Sequence, residues 1–396
     1  MTSKKLNGYK PETLLLTLGR NPERFDGAVN IPVIRASTIL HSSVEKLKNS
    51  NIKKPGKITY GRHGTATTFA LSETIAKIEG ADTSCLFSSG KTAILSSLLA
   101  FLDSGDHMLM VDSAYGPSRL LATSLLKRCG ITTTFYDPLA QGNEIASLIQ
   151  PNTKVIYTES PGSLTFEIQD LPAIAEVAHS SGLTVITDNT WASPLYCNPF
   201  ELGVDVSIQA GTKYIVGHSD VMLGVASANK NASEAIQRSF EDLGACPSPD
   251  DCYLALRGMR TLSVRLAQHQ KTGIQLAEWF ASRSEVSKVL HPALSTTIGH
   301  DIWKRDFKGA SGLFGVILKP HTEESITKML ESLSLFGLGY SWGGYESLAI
   351  PTWPNKVRNV SRWDPDFPHL RIHAGLENPD DLIDDLEESF KILQKK

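Results

Sequence analysis

The strongest constraint on the fold is an alternation, from about residue 68 onward, between short apolar segments and segments with helical periodicity. The apolar segments are TSCLF, HMLMV, ITTTFYD, KVIYTES, LTVITD and VDVSIQA, and helical segments such as LPAIAEVAHSS lie between them. Short apolar strands separated by helices predict a mainly parallel sheet wrapped by helices. Because ligands bind at the carboxyl ends of the strands in such sheets, we expect functional residues to lie just after strands.

The pattern changes near residue 250, where DCYLALRGMRTLSVRLAQHQKTGIQLAEWFAS predicts one long or broken amphipathic helix. The segments after it, among them GLFGVILK, EESITKMLESL and LRIHAG, predict a smaller α+β domain with an antiparallel sheet. The first part of the chain is polar and irregular. We therefore predict an N-terminal arm over residues 1–60, a large domain over 61–255 and a C-terminal domain over 256–396.

The composition excludes several classes of protein. A net charge of −3 over 396 residues offers no basic surface for nucleic acid. The N-terminal segment has no secretory apolar region, and the longest apolar run, AILSSLLAFL, is too short to span a bilayer. The five cysteines are scattered without a CxxC pair, which favours reduced thiols over disulfides or a zinc site. We expect a cytoplasmic protein that binds no metal, no nucleic acid and no membrane.

One segment resembles a nucleotide-binding P-loop. CLFSSGKTA, residues 85–93, ends in Gly-Lys-Thr and lies where a strand would turn into a helix. A P-loop needs an earlier glycine so that its backbone can curl around phosphates, and Cys85 occupies that position. The motif is only half matched. What remains is a turn of small residues at a helix N-terminus, which suits some phosphate group.

Three residues with chemically useful side chains follow predicted strands. Asp188 ends LTVITD, Lys213 follows VDVSIQA, and Tyr115 follows HMLMV. A lysine among apolar neighbours has a lowered pKa, and its neutral amine can form an imine with an aldehyde. Taken alone, however, Lys213 is more simply interpreted as a surface lysine in a loop.

The combination of these residues changes that interpretation. A turn that binds phosphate, an aromatic ring for stacking, a carboxylate for a ring nitrogen and an imine-forming lysine are the groups that pyridoxal phosphate requires. An ATPase would use Gly90, and Asp188 could serve it as a magnesium ligand, but Lys213 and Tyr115 would have no role. The residues therefore favour pyridoxal phosphate as the cofactor.

Segments with a family signature extend over nearly the whole chain. They are YGRHGTAT, LFSSGKTA, DSAYGPS, YTESPGSLTFEIQD, ITDNTWASPL, DVSIQAGTKYIVGHSD, RGMRTLSVRLAQHQ, HPALSTTIGH, KRDFKGASGLFG, LGYSWGGYESL and LRIHAGLEN. With them the chain resembles the Cys/Met-metabolism, or transsulfuration, family of pyridoxal-phosphate enzymes. The resemblance implies an α/β fold of the pyridoxal-phosphate-dependent transferase type, fold type I.

The resemblance also implies how the cofactor is held. Lys213 carries the covalent link to the aldehyde of pyridoxal phosphate, Asp188 pairs with the pyridinium nitrogen, and Tyr115 stacks on the ring and moves protons. The implied phosphate contacts are Gly90, the backbone N–H of Lys91, and Thr212. Relatives more often carry a small or apolar residue at the position of Lys91, so a contact from its ammonium group to the phosphate stays open.

For the substrate, the resemblance implies that Arg371 and Ser341 bind the α-carboxylate and that Trp342 and Tyr60 contribute to the same site. Tyr60 and Arg62 are expected to reach the cofactor phosphate of a neighbouring subunit. The active form would then be a homotetramer, built as a dimer of dimers with sites shared between subunits.

Several of these residues also have a simpler structural interpretation. Without the family, Arg371 could be an ordinary strand arginine in a surface ion pair. For Trp342 and Tyr340, core packing is expected slightly ahead of substrate contact. Glu159 is expected only to order a loop near the ring, and His373 is expected to be a structural histidine.

The reaction that the resemblance implies is the β-elimination of L-cystathionine to homocysteine, pyruvate and ammonia, a step of methionine biosynthesis. Trp342 favours this activity, because relatives that act at the γ-carbon usually carry leucine there. The alternatives within the family are a cystathionine or methionine γ-lyase, a γ-synthase, and a cysteine or cystine desulfhydrase. An alternative from another class is a regulator that keeps the cofactor-binding fold for protein contacts, although all the expected catalytic positions are filled.

Overall fold

The computed structural model describes residues 8–50, 57–361 and 367–394, and within these ranges the strands form a seven-stranded and a four-stranded sheet. Residues 1–7 and 51–56 of the predicted arm lie outside the described residues. The larger sheet has the order β1-β7-β6-β5-β4-β2-β3. Its strands are β1 (Thr83–Phe87), β2 (His107–Val111), β3 (Thr132–Tyr136), β4 (Thr153–Glu159), β5 (Thr184–Asp188), β6 (Val206–Gln209) and β7 (Gly224–Ala228).

The larger sheet is mainly parallel, as predicted. Strands β3, β2, β4, β5 and β6 pair in parallel, whereas β7 runs antiparallel to both β6 and β1. Every residue of β2 and of β7 is buried, because helices cover both faces of a sheet built through helical crossovers. The carboxyl ends of β2, β4, β5 and β6 consequently meet at one edge, where the site is expected.

Helices in the first part of the chain pack mostly on this sheet. They are α1 (Pro11–Thr17), α2 (Val44–Lys48), α3 (Ala66–Glu79), α4 (Gly90–Leu99), α5 (Gly116–Leu121), α6 (Gly142–Leu148), α7 (Leu171–Ser180), α8 (Ser193–Tyr196) and α9 (Ser233–Asp242). Helix α3 shows how the sequence sets their ends. The backbone N–H of Thr65 donates to Thr68 Oγ1 at 2.8 Å at the start, and Gly80 ends the helix with φ of +75°. Glycine at this position takes the left-handed conformation that ends many helices.

The predicted arm is not wholly separate from the rest of the chain. Leu15 of α1 is fully buried in a cluster with residues of α3 and of the later helix around Leu256. Arg260 donates hydrogen bonds to the backbone carbonyls of Leu15 and Leu18. The division of the chain at residues 60 and 255 stays a prediction.

The segment near residue 250, which was predicted to form one long or broken helix, forms a broken one. It consists of α10 (Pro249–Arg260) and α11 (Leu262–Ala281), separated at Thr261. The smaller sheet follows, with the order β10-β11-β9-β8 and antiparallel pairing throughout, so the predicted α+β character is confirmed. The strands of this sheet and the helices around it are β8 (Val286–Leu290), α12 (His300–Asp306), β9 (Leu313–Leu318), α13 (Glu323–Glu331), β10 (Leu348–Thr352), β11 (His369–His373) and α14 (Pro379–Gln394).

One buried carboxylate connects the two sheets. Asp112, directly after β2, accepts backbone N–H groups of Asn359, Val360 and Ser361, at 2.9, 3.0 and 3.1 Å, from the segment that follows β10. Arg119 Nη1 donates to Asp112 Oδ1 at 2.9 Å. Although burial opposes ionisation, these donors lower the pKa of Asp112. The smaller sheet is thereby fixed against the turn that carries Tyr115.

Candidate active site

Residues from both sheets meet at the carboxyl edge of the larger sheet. Asp188 is the last residue of β5, Lys213 lies in the turn after β6, and Tyr115 precedes α5 in the turn after β2. Arg371 reaches them from β11 of the smaller sheet. Electrostatic interactions join Lys213 to Asp188 and Arg371, and Tyr115 to the same two residues. The expectation that three of these residues would follow strands is thus met, and Arg371 completes the group from outside the sheet.

The amine of Lys213 lies in a partly desolvated position. Its Nζ donates a hydrogen bond to Ser341 Oγ and lies 5.3 Å from the centre of the Trp342 ring. Burial and the neighbouring Arg371 cation lower the pKa of Lys213 to about 8, while Asp188 opposes the shift. With this pKa a minority of the amine, far larger than for an ordinary lysine, is neutral near physiological pH and can act as a nucleophile and a base.

Ser341 joins the lysine to the arginine. Its hydroxyl accepts the hydrogen bond from Lys213, and its backbone carbonyl accepts one from Arg371 Nη2 at 3.0 Å. Ser341 has a positive φ of +77°, an uncommon conformation for a residue other than glycine. Two residues on, a Cβ on Gly343 would lie 3.0 Å from the carbonyl carbon of Lys213, so only glycine lets this loop approach so closely.

The loop that carries Ser341 is held by polar contacts. Ser219 Oγ donates to Glu346 Oε1 at 2.6 Å, and the backbone N–H of Gly343 donates to His373 Nε2 at 3.1 Å. Burial and the nearby His269 lower the pKa of His373 well below its usual value, so this ring is neutral and accepts the bond. The structure is in keeping with the expected structural role of His373.

Arg371 supplies the positive charge on the substrate side. Burial lowers the pKa of Arg371 to about 10, so the guanidinium remains charged at neutral pH. The hydrogen bond to Ser341 uses one donor of its planar fork, and the remaining donors suit a carboxylate. The expectation of a surface ion pair does not describe this residue, because among the described residues no salt bridge joins it to a carboxylate.

Thr190 orients Asp188, a role that the sequence reasoning missed. Asp188 Oδ1 accepts the backbone N–H of Thr190 at 3.0 Å and also its hydroxyl group. Thr190 Oγ1 in turn accepts the backbone N–H of Ala210 at 2.9 Å, three residues before Lys213. The available signal was a threonine two residues after a strand-end aspartate, a spacing that favours a local side-chain turn.

The N-terminus of α4 forms the candidate phosphate site. Ser89 caps it, because the backbone N–H of Thr92 donates to Ser89 Oγ at 3.2 Å. Among the described residues, no hydrogen bond is recorded for the N–H groups of Gly90 and Lys91. A Cβ on Gly90 would lie 2.8 Å from the Cβ of Ala210, so glycine lets the helix approach the turn before Lys213. Free N–H groups at a helix N-terminus bind phosphate.

Two further residues predicted at the phosphate have specific surroundings. The side chain of Lys91 is exposed, and Lys91 is the second residue of α4. Thr212 Oγ1 accepts the backbone N–H of Leu223 at 2.9 Å and donates to the carbonyl of Leu223 at 3.1 Å. Contact of either residue with phosphate stays a prediction.

The aromatic residues differ in their exposure. Tyr115 is 45% exposed, and its hydroxyl interacts electrostatically with Asp188, Glu159 and Arg371. Trp342 is half-buried, packs 5.5 Å from the ring of Tyr214 and faces Lys213. Tyr340 is 87% exposed, so the interpretation of Tyr340 as a core aromatic was wrong, because it lies on the loop before Ser341 and not beneath it.

Tyr60 and Arg62 lie away from this group. Tyr60 is 45% exposed, and Arg62 Nη1 donates to Glu241 Oε2 at 3.1 Å. No recorded hydrogen bond or ring contact within the described chain joins either residue to Lys213 or Asp188. Their predicted contribution to a neighbouring subunit stays a prediction.

The residues present fit pyridoxal phosphate. Gly90 and Lys91 offer two N–H groups at the N-terminus of α4. A Cβ at position 90 would push this helix end away from the turn that carries Lys213. The other oxygen of Asp188, Oδ2, has no recorded partner among the described residues and can accept a ring N–H. Lys213 supplies an amine, and Tyr115 supplies an exposed ring for stacking. This set matches the cofactor's phosphate, ring nitrogen, aldehyde and ring face.

Comparison with known proteins agrees with this fit. Residues 12–391 match the sequence model of a family described as "Cys/Met metabolism PLP-dependent enzyme". The chain is 44% identical to a putative cystathionine beta-lyase of Rhizobium johnstonii, over 96% of this chain and 95% of that protein. It is 41% identical to cystathionine beta-lyase MetC of Escherichia coli, over 98% and 99%. A crystal structure of cystathionine gamma-lyase from Lactobacillus plantarum complexed with L-serine superposes with a TM-score of 0.88 at 29% identity, covering 98% of this chain and 100% of that one.

Proposed function

Because this chain belongs to the Cys/Met metabolism family of PLP-dependent enzymes and has the fold of that family, fold type I, we propose that it cleaves L-cystathionine by β-elimination to homocysteine, pyruvate and ammonia. It is a carbon–sulfur lyase that uses pyridoxal phosphate. The observation that carries the proposal is the bridge made by Ser341, which connects the Lys213 amine to the Arg371 guanidinium. In this proposal the Lys213 amine is the base and the Arg371 guanidinium binds the substrate carboxylate.

The residues of the site divide the work of the reaction. When bound, pyridoxal phosphate supplies an aldehyde for the substrate amine and a ring that withdraws electrons from the substrate Cα. Arg371 binds the α-carboxylate and so fixes the orientation of the Cα–H bond. Lys213 Nζ holds the cofactor before the substrate enters, and as a neutral amine it then takes the proton from Cα.

Two further groups act on charge and protons. The Asp188 carboxylate, oriented by Thr190, stabilises a protonated ring nitrogen and thereby the negative charge that develops at Cα. Lys213 Nζ or the Tyr115 hydroxyl returns a proton to the departing thiolate of homocysteine. Burial together with Asp188 and Glu159 raises the pKa of Tyr115, so its hydroxyl is protonated at neutral pH and can act as an acid.

Several observations favour β-elimination over reaction at the γ-carbon. The relatives at 41–44% identity are named cystathionine beta-lyases, whereas the gamma-lyase structure shares 29% identity with this chain. Trp342 faces the Lys213 amine at 5.3 Å, at the position where γ-acting relatives usually carry leucine. Cysteine or cystine desulfuration stays an alternative activity of the same site.

The products of the reaction test this function. With L-cystathionine as substrate, we expect one pyruvate and one homocysteine for each ammonia released, because the bond that breaks lies between sulfur and the β-carbon. Lactate dehydrogenase with NADH detects the pyruvate, and a thiol assay with chromatography identifies homocysteine. Formation of 2-oxobutyrate with cysteine would instead assign the enzyme to the γ-lyases.

The pH dependence of cofactor uptake tests the environment of Lys213. We expect the rate at which apoprotein takes up pyridoxal phosphate to rise with pH to a midpoint near 8, because the neutral amine attacks the aldehyde and its pKa is about 8. Below the midpoint the rate should fall about tenfold for each pH unit, following the neutral fraction. Arg371→Gln removes the cation that lowers this pKa, so its midpoint should be higher than that of the parent. A midpoint near 10 in the parent, which is about the ordinary pKa of lysine, would contradict a desolvated amine at position 213.

The assembly and the cellular setting belong to the same proposal. The 45% exposure of Tyr60 leaves its ring available to a neighbouring subunit, in keeping with a homotetramer in which Tyr60 and Arg62 complete that subunit's site. Within the described residues no helix is long and apolar enough to cross a membrane. We propose a role in methionine biosynthesis, because the product would be homocysteine. We also propose a cytoplasmic location for the enzyme.

A further inference from the structure

Glu159 lies beside Asp188 at the floor of the site. It ends β4, and it is the register partner of Asp188 in the parallel pair of β4 and β5. Register partners on neighbouring strands point to the same face of a sheet, so the two carboxyl groups are neighbours. Both side chains are buried. None of the roles described for cofactor or substrate uses Glu159.

The carboxyl group of Glu159 holds the backbone of Tyr115. Its Oε2 accepts the Tyr115 N–H at 2.7 Å. The backbone N–H of Glu159 donates to Gln169 Oε1 at 3.1 Å, and Gln169 Nε2 donates to the buried Tyr136 hydroxyl at 3.0 Å. The backbone of Glu159 is therefore held by Gln169, which is itself held by Tyr136. Glu159 anchors the turn that directs the Tyr115 ring towards the site.

The charge of this pair of carboxyls is unequal. Burial and the neighbouring Asp188 raise the pKa of Glu159 well above its usual range. Burial raises the pKa of Asp188 as well, but two hydrogen bonds from Thr190 and the neighbouring charge of Lys213 oppose that rise, so Asp188 is the more readily ionised carboxyl of the pair. Two adjacent buried carboxyls do not both ionise at neutral pH, so the proton remains on Glu159. The carbonyl oxygen of a neutral acid still accepts the Tyr115 N–H.

We propose that Glu159 is a positioning residue that, as a neutral acid, fixes the Tyr115 peptide and leaves the negative charge beneath the cofactor ring to Asp188. The inference rests on the proposed function for the identity of the cofactor, and not for the reaction. It extends the expectation that Glu159 only orders a loop, because it assigns the residue a protonation state and one target, Tyr115.

The test compares two variants that differ in hydrogen bonding. Glu159→Gln keeps a neutral acceptor of the same size, and Glu159→Met keeps the length but removes the acceptor. Each is made in the parent and in a Tyr115→Ala background. For each holoprotein the dissociation constant of pyridoxal phosphate and the induced visible circular dichroism of the bound cofactor are measured, and cystathionine turnover is measured beside them. The melting temperature of the apoprotein shows whether each variant folds.

The proposal predicts a specific pattern. Glu159→Gln should keep the cofactor affinity and dichroism within about twofold of the parent, because an amide oxygen accepts the same N–H. Glu159→Met should weaken cofactor binding by about tenfold and reduce the dichroism, which is the loss expected for one buried hydrogen bond. In the Tyr115→Ala background, Glu159→Met should change these values by less than about twofold, because the residue acts through Tyr115.

Three results would overturn the proposal. If Glu159→Gln lowered cofactor affinity and dichroism as much as Glu159→Met, an ionised carboxylate would be needed. If Glu159→Met weakened cofactor binding equally with and without the Tyr115 ring, the role of Glu159 would be generally structural. If Glu159→Met left cofactor affinity and dichroism unchanged in the parent, Glu159 would have no role in positioning. Should Glu159→Met not fold, Glu159→Gln alone still decides whether neutrality is tolerated. Because affinity and dichroism do not depend on turnover, a failure of the lyase assignment leaves this test intact.

Discussion

Replacing Lys213 with alanine is expected to lower cystathionine turnover by at least about a thousandfold, because the variant loses both the group that holds the cofactor and the base at Cα. The amine donates a hydrogen bond to Ser341 and lies 5.3 Å from the Trp342 ring centre, and burial raises its neutral fraction above that of an ordinary lysine. No other lysine has a recorded contact with Ser341 or Asp188 in the described chain. Steady-state pyruvate formation and the visible absorption spectrum of the purified protein measure the two losses separately.

Lys271→Ala serves as the matched control for this variant. Lys271 is exposed on α11 and has no recorded contact with Lys213, Asp188 or Arg371 in the described chain, so the same substitution there should leave activity and colour unchanged. Equal melting temperatures of the two apoproteins would show that neither change unfolds the chain. A yellow and active Lys213→Ala variant would contradict the assignment of Lys213.

Replacing Arg371 with glutamine is expected to lower kcat/KM for cystathionine by about thirtyfold or more, since the loss of one partner of a desolvated charge pair costs about 2–5 kcal/mol. The guanidinium is held by the Ser341 carbonyl at 3.0 Å and stays charged at neutral pH despite burial. Most of the change should be in KM, because the carboxylate is bound before and during the reaction. Arg371→Lys keeps the charge without the planar fork and should lose less than Arg371→Gln.

The control for Arg371 is an arginine that the site does not use. Arg257 is exposed on α10, and Arg257→Gln should retain the parent kcat and KM. An amine that lacks the carboxylate should react equally slowly with the parent and with Arg371→Gln. If Arg371→Gln kept the parent KM for cystathionine, Arg371 would not be the carboxylate-binding residue.

Local patterns in the sequence identify the half of the site that lies on the larger sheet. The alternation of strands and helices fixes where strands end, and Asp188, Lys213 and Tyr115 all lie at or shortly after strand ends. Chain order is enough for these residues because parallel strands place their carboxyl ends together. The half-matched phosphate motif likewise falls at the N-terminus of α4, since a small residue is needed where the helix approaches Ala210.

The other half of the site depends on contacts between distant segments. Arg371 lies in the middle of β11 and Ser341 in an irregular loop, and no periodicity relates them to each other or to Lys213. Only the family resemblance indicated these two residues. The edge strand β10 was not predicted, because it contains Pro351, which breaks the usual strand pattern and is tolerated only where one side lacks a neighbour.

Exposure was the least predictable property. Tyr340 was expected in the core because aromatic residues are usually buried, yet the loop that presents Ser341 leaves it outside. Glu159 was expected only to order a loop, and its hydrogen bond to Tyr115 depends on the parallel pairing of β2 with β4. Burial of a charged side chain is a property of the packed chain and not of its neighbours in sequence.

The central claim is that one amine, that of Lys213, holds pyridoxal phosphate. Reduction of the holoprotein with borohydride makes the link permanent, and proteolysis followed by mass spectrometry locates it. The account predicts a single modified peptide that contains the TKY segment, with the added mass on Lys213. A label on a different lysine, or no label on a protein that turns over cystathionine, would contradict it.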